Sequence, residues 1–373
     1  MKIAYLNAKY RFPAISGGHV HVAQFVENLL ALGHEVWMDA EHRHPRANPL
    51  PARDLSARLV DMDVVYVRVT YRLPEICRLV LPLENSKASR PIFVWEFNVH
   101  PSFGSVKGLS DSQIEQNIDA FKLYAPGCDL AVCVSDTLRD YVSKALGINH
   151  VVTVANASDP ELVSPQAKPH ASIVSEPDLL NVVWVGSANL DWHNLALVLD
   201  TARHMEKAHS DTRIHFHLFG KEFDARQALP SNVTYHGPAP YHDLPQWLAA
   251  MDVGLALYHP GPADYNSPMK LFDYMASGLA VIGSEHPQLR QIFSECGQAE
   301  LLLPSNDPEA LADMLNELSD DRDRIARHGR MARELVISKY NWKTVVSTIL
   351  GEIQSCLTPG ETHGLAVRAQ RDT

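Results

Sequence analysis

The feature that most constrains the fold is an alternation of short apolar runs and amphipathic helix patterns along nearly the whole chain. The first run, Ile3–Leu6, is followed by a loop and then by apolar residues at helical spacing between Val22 and Leu30. Gly33 ends this helix pattern, and Glu35–Met38 begins a second strand. Strands that alternate with helices predict parallel sheets covered by helices on both faces.

The same alternation continues until one stretch rich in proline and serine, and then restarts. Before and after that stretch, further strands are predicted at 63–69, 92–97, 130–134, 151–154, 182–185, 214–219, 253–258 and 280–282. Later helices are predicted at 195–207, 243–250, from 268 onward, and at 308–319, 321–339 and 342–354. The interrupting stretch, residues 164–177, lacks periodicity and is typical of a linker.

The sequence therefore predicts two Rossmann-like, doubly wound α/β domains that face each other across a cleft. Residues 1–165 form the first domain, 166–178 the linker, and 179–340 the second domain. Residues 341–357 form a C-terminal helix, and 358–373 a disordered tail. Ligands of doubly wound sheets bind at the carboxyl ends of the strands, so the loops that follow strands are the places to look for chemistry.

Composition excludes several classes of protein. Of the 33 basic and 44 acidic residues, residues 1–170 hold 17 and 18, so most of the negative charge lies in the second half. Such a chain is a poor candidate for binding nucleic acid. The near-neutral first half could approach an anionic membrane surface as a peripheral protein, although its spread-out basic residues favour a solvated face.

Location and metal binding are constrained by further features of the sequence. No apolar run is long enough to span a membrane, and the N-terminus lacks the apolar core of a signal peptide. The five cysteines are scattered without CxxC spacing, which favours the cytoplasm and argues against structural zinc. The pairs His19/His21 and His215/His217 are more typical of polar or structural histidines than of a metal site.

The strongest local signal is the segment Ser267–Gly278, which follows a predicted strand. Ser267 suits a helix N-cap, Pro268 the first helical position and Gly278 the terminating position. Lys270 breaks the pattern, because the helix dipole disfavours a cation in the first turn. Lys270 either extends to solvent or shares the helix N-terminus with a bound phosphate.

Asp273 lies three residues further along the same predicted helix. It would share a helix face with Lys270 and could accept hydrogen bonds from ribose hydroxyls. The alternative is an ordinary exposed acid.

Two other loops after strands carry candidate residues. Gly17 and Gly18 at the start of the first helix would let the backbone approach a ligand, or form a tight turn. They do not form a GxGxxG motif, so a nicotinamide site is poorly supported. His100, just after the strand at 92–97, could contact a sugar hydroxyl or carry a proton, or simply cap a loop.

Taken in order, these motifs resemble those of the retaining glycosyltransferases of family four, which have the GT-B fold. The resemblance covers about residues 1–355. The matching stretches are Gly17-Gly18, 33–36, 130–138, 154–159, 183–187, 218–220, 235–237, 267–278 and 340–343.

This resemblance implies a nucleotide diphosphate sugar bound mainly by the second domain, and a hydroxyl acceptor that enters from the first. The pyrophosphate would be held by Lys270 and the backbone of Ser267, Pro268 and Met269, and the ribose by Asp273. Gly17 and Gly18 would approach the phosphates, His100 would lie near the donor sugar, and the terminal helix would cross back to the first domain.

The chain departs from the family pattern at three places. A glutamate usual eight positions before Asp273 is replaced by Tyr265, and whether Tyr265 or the neighbouring Asp264 takes its role is open. The basic pair usual after Gly186 is missing, and His193 or Lys221 could compensate. In the third place, an alanine stands in the 154–159 turn where glycine is usual.

We therefore expect a retaining glycosyltransferase without metal or other cofactor. Its catalytic residues would be Lys270, His100 and Asp264. The remaining candidates would bind the donor: Gly17, Gly18, Gly186, His193, Lys221, Ser267, Pro268, Met269 and Asp273.

The acceptor would be a glycan, a lipid-linked glycan or a small molecule, and a role in cell-surface polysaccharide or glycolipid assembly is common in this family. The sequence does not identify the base, the sugar or the oligomeric state. Two alternatives remain: a sugar-nucleotide epimerase or hydrolase on the same fold, and a non-catalytic protein that binds nucleotide sugars.

Overall fold

The computed structural model describes residues 1–82, 90–173, 176, 178–208, 213–221, 223 and 228–357. The predicted disordered tail at 358–373 lies outside these residues, as do parts of the predicted linker. The chain forms two compact units. The first contains Met1–Tyr10, Phe25–Val154 and the chain from Lys343 onward; the second contains Arg11–Gln24 and Ala155–Trp342.

The first unit is built on a seven-stranded parallel sheet in the order β3-β2-β1-β4-β5-β6-β7. Its strands are β1 (Lys2–Leu6), β2 (Glu35–Asp39), β3 (Asn48–Leu50), β4 (Val64–Arg68), β5 (Ile92–Phe97), β6 (Leu130–Cys133) and β7 (Val151–Thr153). The central strands are buried, as expected for a parallel sheet with both faces covered.

The helices of the first unit include the two that the sequence predicted, at the start of the unit and at the end of the chain, and four others between its strands. They are α1 (Gly17–Ala31), whose first turns group with the second unit, α2 (Leu55–Leu59), α3 (Leu73–Val80), α4 (Asp111–Tyr124), α5 (Asp136–Leu146) and α12 (Trp342–Leu357). The predicted left-handed glycine after α1 is present, since Gly33 has φ +81°.

The second unit is built on a five-stranded parallel sheet in the order β10-β9-β8-β11-β12. Its strands are β8 (Leu180–Ser187), β9 (Ile214–Lys221), β10 (Val233–Gly237), β11 (Val253–Ala256) and β12 (Ala280–Gly283). Its helices are α6 (Leu195–Ala208), α7 (Leu244–Leu248), α8 (Met269–Ala276), α9 (Pro287–Glu295), α10 (Pro308–Asp320) and α11 (Arg322–Ser338).

The boundary between the units falls at 154/155, eleven residues before the predicted end of the first domain. The reason is a set of hydrogen bonds that ties the intervening turn to the second unit. Asn156 bonds Ser267, and the Ser158 hydroxyl donates to Asp273 over 2.6 Å. The start of α1 groups with the second unit as well, which the sequence did not indicate.

The C-terminal helix α12 belongs to the first unit from Lys343 onward. Its Glu352 carboxylate lies 3.1 Å from Nε2 of His150, just before β7. The first unit is therefore assembled from both ends of the chain.

Among the described residues, none of the helices is long and apolar enough to cross a membrane. The same part of the chain contains no cluster of three or more His, Cys, Asp or Glu side chains that could hold a metal ion. All five cysteines are free thiols.

Candidate active site

A crevice forms between β8 and β11, where the order of strands in the second sheet reverses direction. The two strands are paired only at Val182 with Val253 and at Val183 with Gly254. Beyond this point the backbone N–H of Val185 donates instead to the hydroxyl of Tyr274, over 2.8 Å. The hydroxyl comes from α8, so that helix packs against the carboxyl-terminal half of β8. The start of α8 follows the loop after β11, and the loops after strands are where doubly wound sheets bind ligands.

Lys270 lies in the first turn of α8 and is 9% exposed. Its Nζ is 5.0 Å from the centroid of the Trp184 ring and 5.2 Å from that of Tyr258. Among the described residues the ammonium has no hydrogen-bond partner. A buried donor without a partner is rare in a native protein and is commonly explained by a ligand.

Electrostatics set Lys270 apart in the same way. Burial lowers the pKa of its ammonium from 10.5 to about 7. The two aromatic rings stabilise the cation by only about 0.5–2 kcal/mol, which is less than the cost of removing an ammonium from water. An anion close to Nζ would stabilise the charged form of Lys270 and raise its pKa again.

His193 lines the same crevice as a neutral side chain. Its Nδ1 accepts a hydrogen bond from the backbone N–H of Ser187, and its carbonyl accepts one from the Trp184 indole; both distances are 3.1 Å. Burial first, and the charge of Lys270 second, lower the pKa of His193 to about 2. His193 therefore offers an Nε2–H donor to a ligand and cannot supply the missing positive charge.

The glycines at the ends of β8 and β9 allow very close packing. A Cβ on Gly220 would lie 1.6 Å from the carbonyl oxygen of Gly186, and Gly220 has φ +152°. A Cβ on Gly186 would lie 2.5 Å from the ring of Trp184 and 3.1 Å from Nδ1 of His193. Gly186, predicted to bind the donor, thus has a structural reason to be glycine: it makes room for the walls of the crevice.

The start of α8 differs from the prediction. Pro268 is the N-cap and the helix begins at Met269, with no side-chain cap. Ser267 is not the cap, because its hydroxyl accepts the backbone N–H of Asn156 over 2.9 Å. The predicted helix end is correct, since Gly278 has φ +73°. A helix N-terminus without a capping side chain has backbone N–H groups available to an anion.

Gly17, at the start of α1, lies close to the start of α8. A Cβ on Gly17 would be 3.1 Å from Cγ of Met269, whereas one on Gly18 would meet nothing within 4 Å. Nδ1 of His21, one turn further along α1, lies 2.8 Å from Oδ1 of Asn156. The start of α1 therefore borders the N-terminus of α8, as expected if both helices approach one ligand.

Asp273 occupies a different environment from the predicted one. It is 4% exposed, and its Oδ1 accepts hydrogen bonds from the hydroxyls of Ser158 (2.6 Å) and Tyr241 (3.1 Å). Burial raises its pKa to about 7. Asp273 is therefore not the exposed acid of the alternative interpretation, because it joins α8 to the turn after β7 and to the residues before α7. Its contact with ribose stays a prediction.

The other predicted residues are more peripheral to Lys270. Oδ2 of Asp264 accepts the backbone N–H of Gly261 over 3.0 Å and so closes a short turn. Lys221 ends β9, half-buried, and its carbonyl accepts the backbone N–H of Ala188 over 3.0 Å. The roles expected of them, Asp264 in catalysis and Lys221 in donor binding, stay predictions.

His100 lies in the first unit, three residues after β5. Its Nδ1 accepts the backbone N–H of Ser102 over 3.1 Å, and its ring centroid is 4.0 Å from that of Tyr141. Burial lowers its pKa. These contacts are those of a loop-capping histidine; a contact with the donor sugar stays a prediction.

Sequence reasoning missed Trp184 and Tyr258 as parts of the site. Both lie in apolar runs that end strands, where a core role and a site role look alike. Tyr258 is held by its backbone, because its N–H donates to Ser284 and its carbonyl accepts from Asn306. The available signal was position: Trp184 lies in the carboxyl-terminal half of β8, and Tyr258 lies two residues after the end of β11.

Comparisons with known proteins can be set beside this geometry. The family described as "Glycosyl transferase-like" matches residues 198–351. The chain is 29% identical over 172 residues to a protein of Bacillus subtilis named as a putative teichuronic acid biosynthesis glycosyltransferase, TuaH. That alignment covers 43% of this chain and 41% of TuaH, so the matched stretch spans less than half of the relative.

Solved structures resemble the chain over almost its full length. Sucrose-phosphate synthase from Thermosynechococcus elongatus has a TM-score of 0.67 at 16% identity, over 95% of this chain and 99% of that one. HepE from Anabaena, in complex with UDP and glucose, has a TM-score of 0.68 at 14% identity, over 95% and 100%. The chain has the GT-B fold. The predicted pair of parallel-sheet α/β domains is confirmed. Sequence identities as low as these support a conclusion about the fold alone.

Proposed function

We propose that this protein is a glycosyltransferase that moves a sugar from a nucleotide diphosphate to a hydroxyl acceptor, with retention of the anomeric configuration. The observation that carries the proposal is the buried ammonium of Lys270, beside the N-terminus of α8. Within the described part of the chain the ammonium has no hydrogen-bond partner and that N-terminus has no side-chain cap. Positive charge and free N–H groups at one place suit a diphosphate. The match to the glycosyl transferase-like family over residues 198–351 supports the same reading.

In this proposal the diphosphate is both the ligand and the leaving group. The bond between the sugar C1 and the phosphate oxygen breaks while the acceptor oxygen bonds to C1 on the same face. The acceptor proton passes to the departing phosphate oxygen. Negative charge that develops there is stabilised by Lys270, by the first N–H groups of α8 and by Nε2–H of His193. Retention rests on the resemblance to family four.

The physical contribution of the protein is positioning and charge. A single preorganised donor of this kind is worth roughly tenfold to a thousandfold in turnover. Gly17 lets α1 approach the start of α8, so backbone from both helices can surround the phosphates. No residue is required to form a covalent bond to the sugar.

The substrates are proposed by class. The HepE structure contains UDP and glucose, and the name of TuaH points to a cell-surface polysaccharide, so UDP-sugars and glycan acceptors are the first to test. We also place the protein in the cytoplasm, with peripheral contact to the membrane when the acceptor is lipid-linked. The free state of all five cysteines suits a reducing compartment.

A thermal-shift screen against UDP-, GDP-, ADP- and dTDP-sugars tests donor binding, because a ligand of the native state raises the melting temperature. The donor that shifts the protein is then incubated with glycan acceptors, and the anomer of the product is read by NMR. Transfer with the donor's own anomeric configuration supports the proposal. Release of nucleotide diphosphate without any acceptor would instead indicate a hydrolase or an epimerase, and binding without turnover would indicate a non-catalytic binding protein.

A further inference from the structure

A cavity of about 300 Å³ lies in the second unit and shares no lining residue with the crevice around Lys270. The loop 238–240, which follows β10, forms one wall. Other walls come from α7 and the residues before it, from β9, and from the segment preceding β8. The aromatic and polar side chains that line the cavity are those of His170, Phe219, His236, Asp243, Gln246 and Trp247.

The aromatic rings of the cavity wall are stacked on one another. His170 lies over Trp247 with ring centroids 3.5 Å apart, and Phe219 lies over His236 at 4.6 Å. Trp247 also contacts Phe219 and His236, each at 5.0 Å. Because these rings occupy each other's faces, the wall offers ring edges and polar atoms to a ligand, and a flat base gains little by stacking here.

The hydrogen-bond role of His236 is fixed by a relay that starts in the core. Nε2 of His217 lies 3.0 Å from Oδ1 of Asn181 and donates to it. Burial lowers the pKa of His217 to about 3, so the ring is neutral and its Nδ1 carries no proton. That Nδ1 lies 3.0 Å from Nε2 of His236, which must therefore donate. Nδ1 of His236 is left as an acceptor.

His170 has the opposite role. The backbone N–H of Ser172 donates to Nδ1 of His170 over 3.3 Å, so Nδ1 acts as an acceptor and Nε2 is the nitrogen that carries a proton. The cavity wall thus contains one imidazole acceptor and one imidazole N–H donor. The Asp243 carboxylate and the exposed Gln246 amide add an anionic acceptor and a group that both donates and accepts.

We propose that this cavity binds a neutral pyranose ring, the chemical class of one sugar unit in a glycan chain. Vicinal hydroxyls each donate and accept, which matches a wall that alternates donors and acceptors. The carboxylate of Asp243 accepts from hydroxyls but repels the carboxylate of a uronic acid. Ring edges of Trp247 and the prolines of the loop contact the C–H faces of the sugar.

The proposed sugar site is additional to the proposed transferase function, and its existence does not depend on that function. In a glycosyltransferase that elongates a glycan, a second sugar site would hold part of the acceptor away from the reacting hydroxyl. In a protein with any other activity, the cavity would still bind the sugar.

The test is saturation-transfer NMR and calorimetry with methyl α-D-glucopyranoside, with UDP present to occupy the donor site. We expect saturable binding that Asp243→Ala and Gln246→Ala each weaken at least fivefold. Asp243 is the N-cap residue of α7, but its side chain makes no capping hydrogen bond among the described residues. Its Oδ1 lies 3.5 Å from Nε2 of His242, and both side chains are about half exposed, so we expect Asp243→Ala to remain folded, which circular dichroism checks. Asp313→Ala, an exposed acid on α10, is the matched control and should change nothing.

Two further probes sharpen the result. Glucuronic acid should bind more weakly than the neutral glycoside, and Lys270→Met should leave glycoside binding unchanged. The proposal would be overturned if binding were not saturable, or if Asp243→Ala and Gln246→Ala bound the glycoside as tightly as the wild type. Displacement of the glycoside by uridine would also overturn it. Loss of donor binding alone, with the glycoside still bound, would count against the proposed function and leave this site in place.

Discussion

At the scale of single residues, burial of the Lys270 ammonium costs desolvation free energy that its contacts in the folded chain do not compensate. Its ammonium is removed from water and meets aromatic rings but no acceptor among the described residues. Groups in this position are found at functional sites more often than elsewhere, because burial tunes their charge for a ligand.

Lys270→Met keeps an apolar stem of similar length and removes the charge. We expect turnover to fall roughly tenfold to a thousandfold, because one preorganised cation is lost. The free energy of unfolding should stay level or rise by about 1 kcal/mol, since an uncompensated buried charge is removed. Steady-state kinetics and urea unfolding check the two halves. Lys122→Met, on the exposed side of α4, is the control, and unchanged turnover in Lys270→Met would remove this residue from the mechanism.

The affinity for donor should depend on pH through Lys270. Its pKa is about 7 in the free protein, so above that pH the amine must take up a proton before it binds an anion. The Kd of UDP-glucose, which has no phosphate ionising near neutrality, should rise up to about tenfold per pH unit above 7. Calorimetry between pH 6 and 9 measures this. Facing groups do not mimic the effect: His193 titrates at about pH 2, and burial raises the pKa of Tyr258. The slope should disappear in Lys270→Met.

Asp273 makes the stability of the folded state depend on pH. Its pKa is raised to about 7, so the folded state holds a proton that the unfolded state releases near pH 4. Its contribution to stability is complete below pH 4 and is lost as the pH rises to 7. Asp273→Asn keeps an acceptor for Ser158 and Tyr241 and removes this dependence. Urea unfolding at pH 5 and pH 7.5 should therefore show a smaller difference in the variant than in the wild type; an equal difference would contradict the assignment.

At the scale of elements, the packing between β8 and β9 depends on glycine. Gly220→Ala would drive a Cβ into the carbonyl of Gly186, at a backbone angle that other residues rarely adopt. We expect a loss of about 3 kcal/mol or more in the free energy of unfolding. Gly351→Ala is the matched control, because it lies within α12 with open space around it. There alanine should stabilise by about 0.5–1 kcal/mol, measured by the same denaturant titration.

Elements with strong patterns could be predicted from the sequence, and weakly patterned ones could not. The helices α10, α11 and α12 and the strand β5 lie within a few residues of their predicted ranges. The strand β3 was missed because it has three residues and contains Pro49, which suits only an edge strand. The strand β10, also an edge strand, was missed because most of its residues are half-buried and polar.

The candidate site could be predicted only where its signal is local in the sequence. Lys270 was found because it violates a local rule of helix capping, and such violations are visible in one sequence. The burial of Asp273 was not visible, because it depends on Ser158 and Tyr241, which are distant in the chain. The cap of α8 was misassigned for the same cause, since Ser267 is engaged by Asn156.

At the scale of the whole molecule, the predicted pair of parallel-sheet α/β domains is present, and long-range hydrogen bonds decide where the two compact units divide. The turn after β7 reads as the end of the first domain, but Asn156 and Ser158 attach it to the second. Local pattern identifies elements, whereas tertiary contacts assign them to units.

Because α12 completes the first unit, a single proteolytic cut at 154/155 yields neither unit whole. The N-terminal fragment would lack α12, whose buried residues include Val346 and Ile353, and would expose the apolar surface that this helix covers. We expect a fragment of residues 1–154 to aggregate, and a fusion of 1–154 through a flexible linker to 343–357 to stay monomeric in size-exclusion chromatography. A monomeric, folded fragment 1–154 would contradict this. Joining 1–154 to 343–357 therefore restores the first unit, whereas a fragment of 155–342 would still lack the Arg11–Gln24 segment of the second.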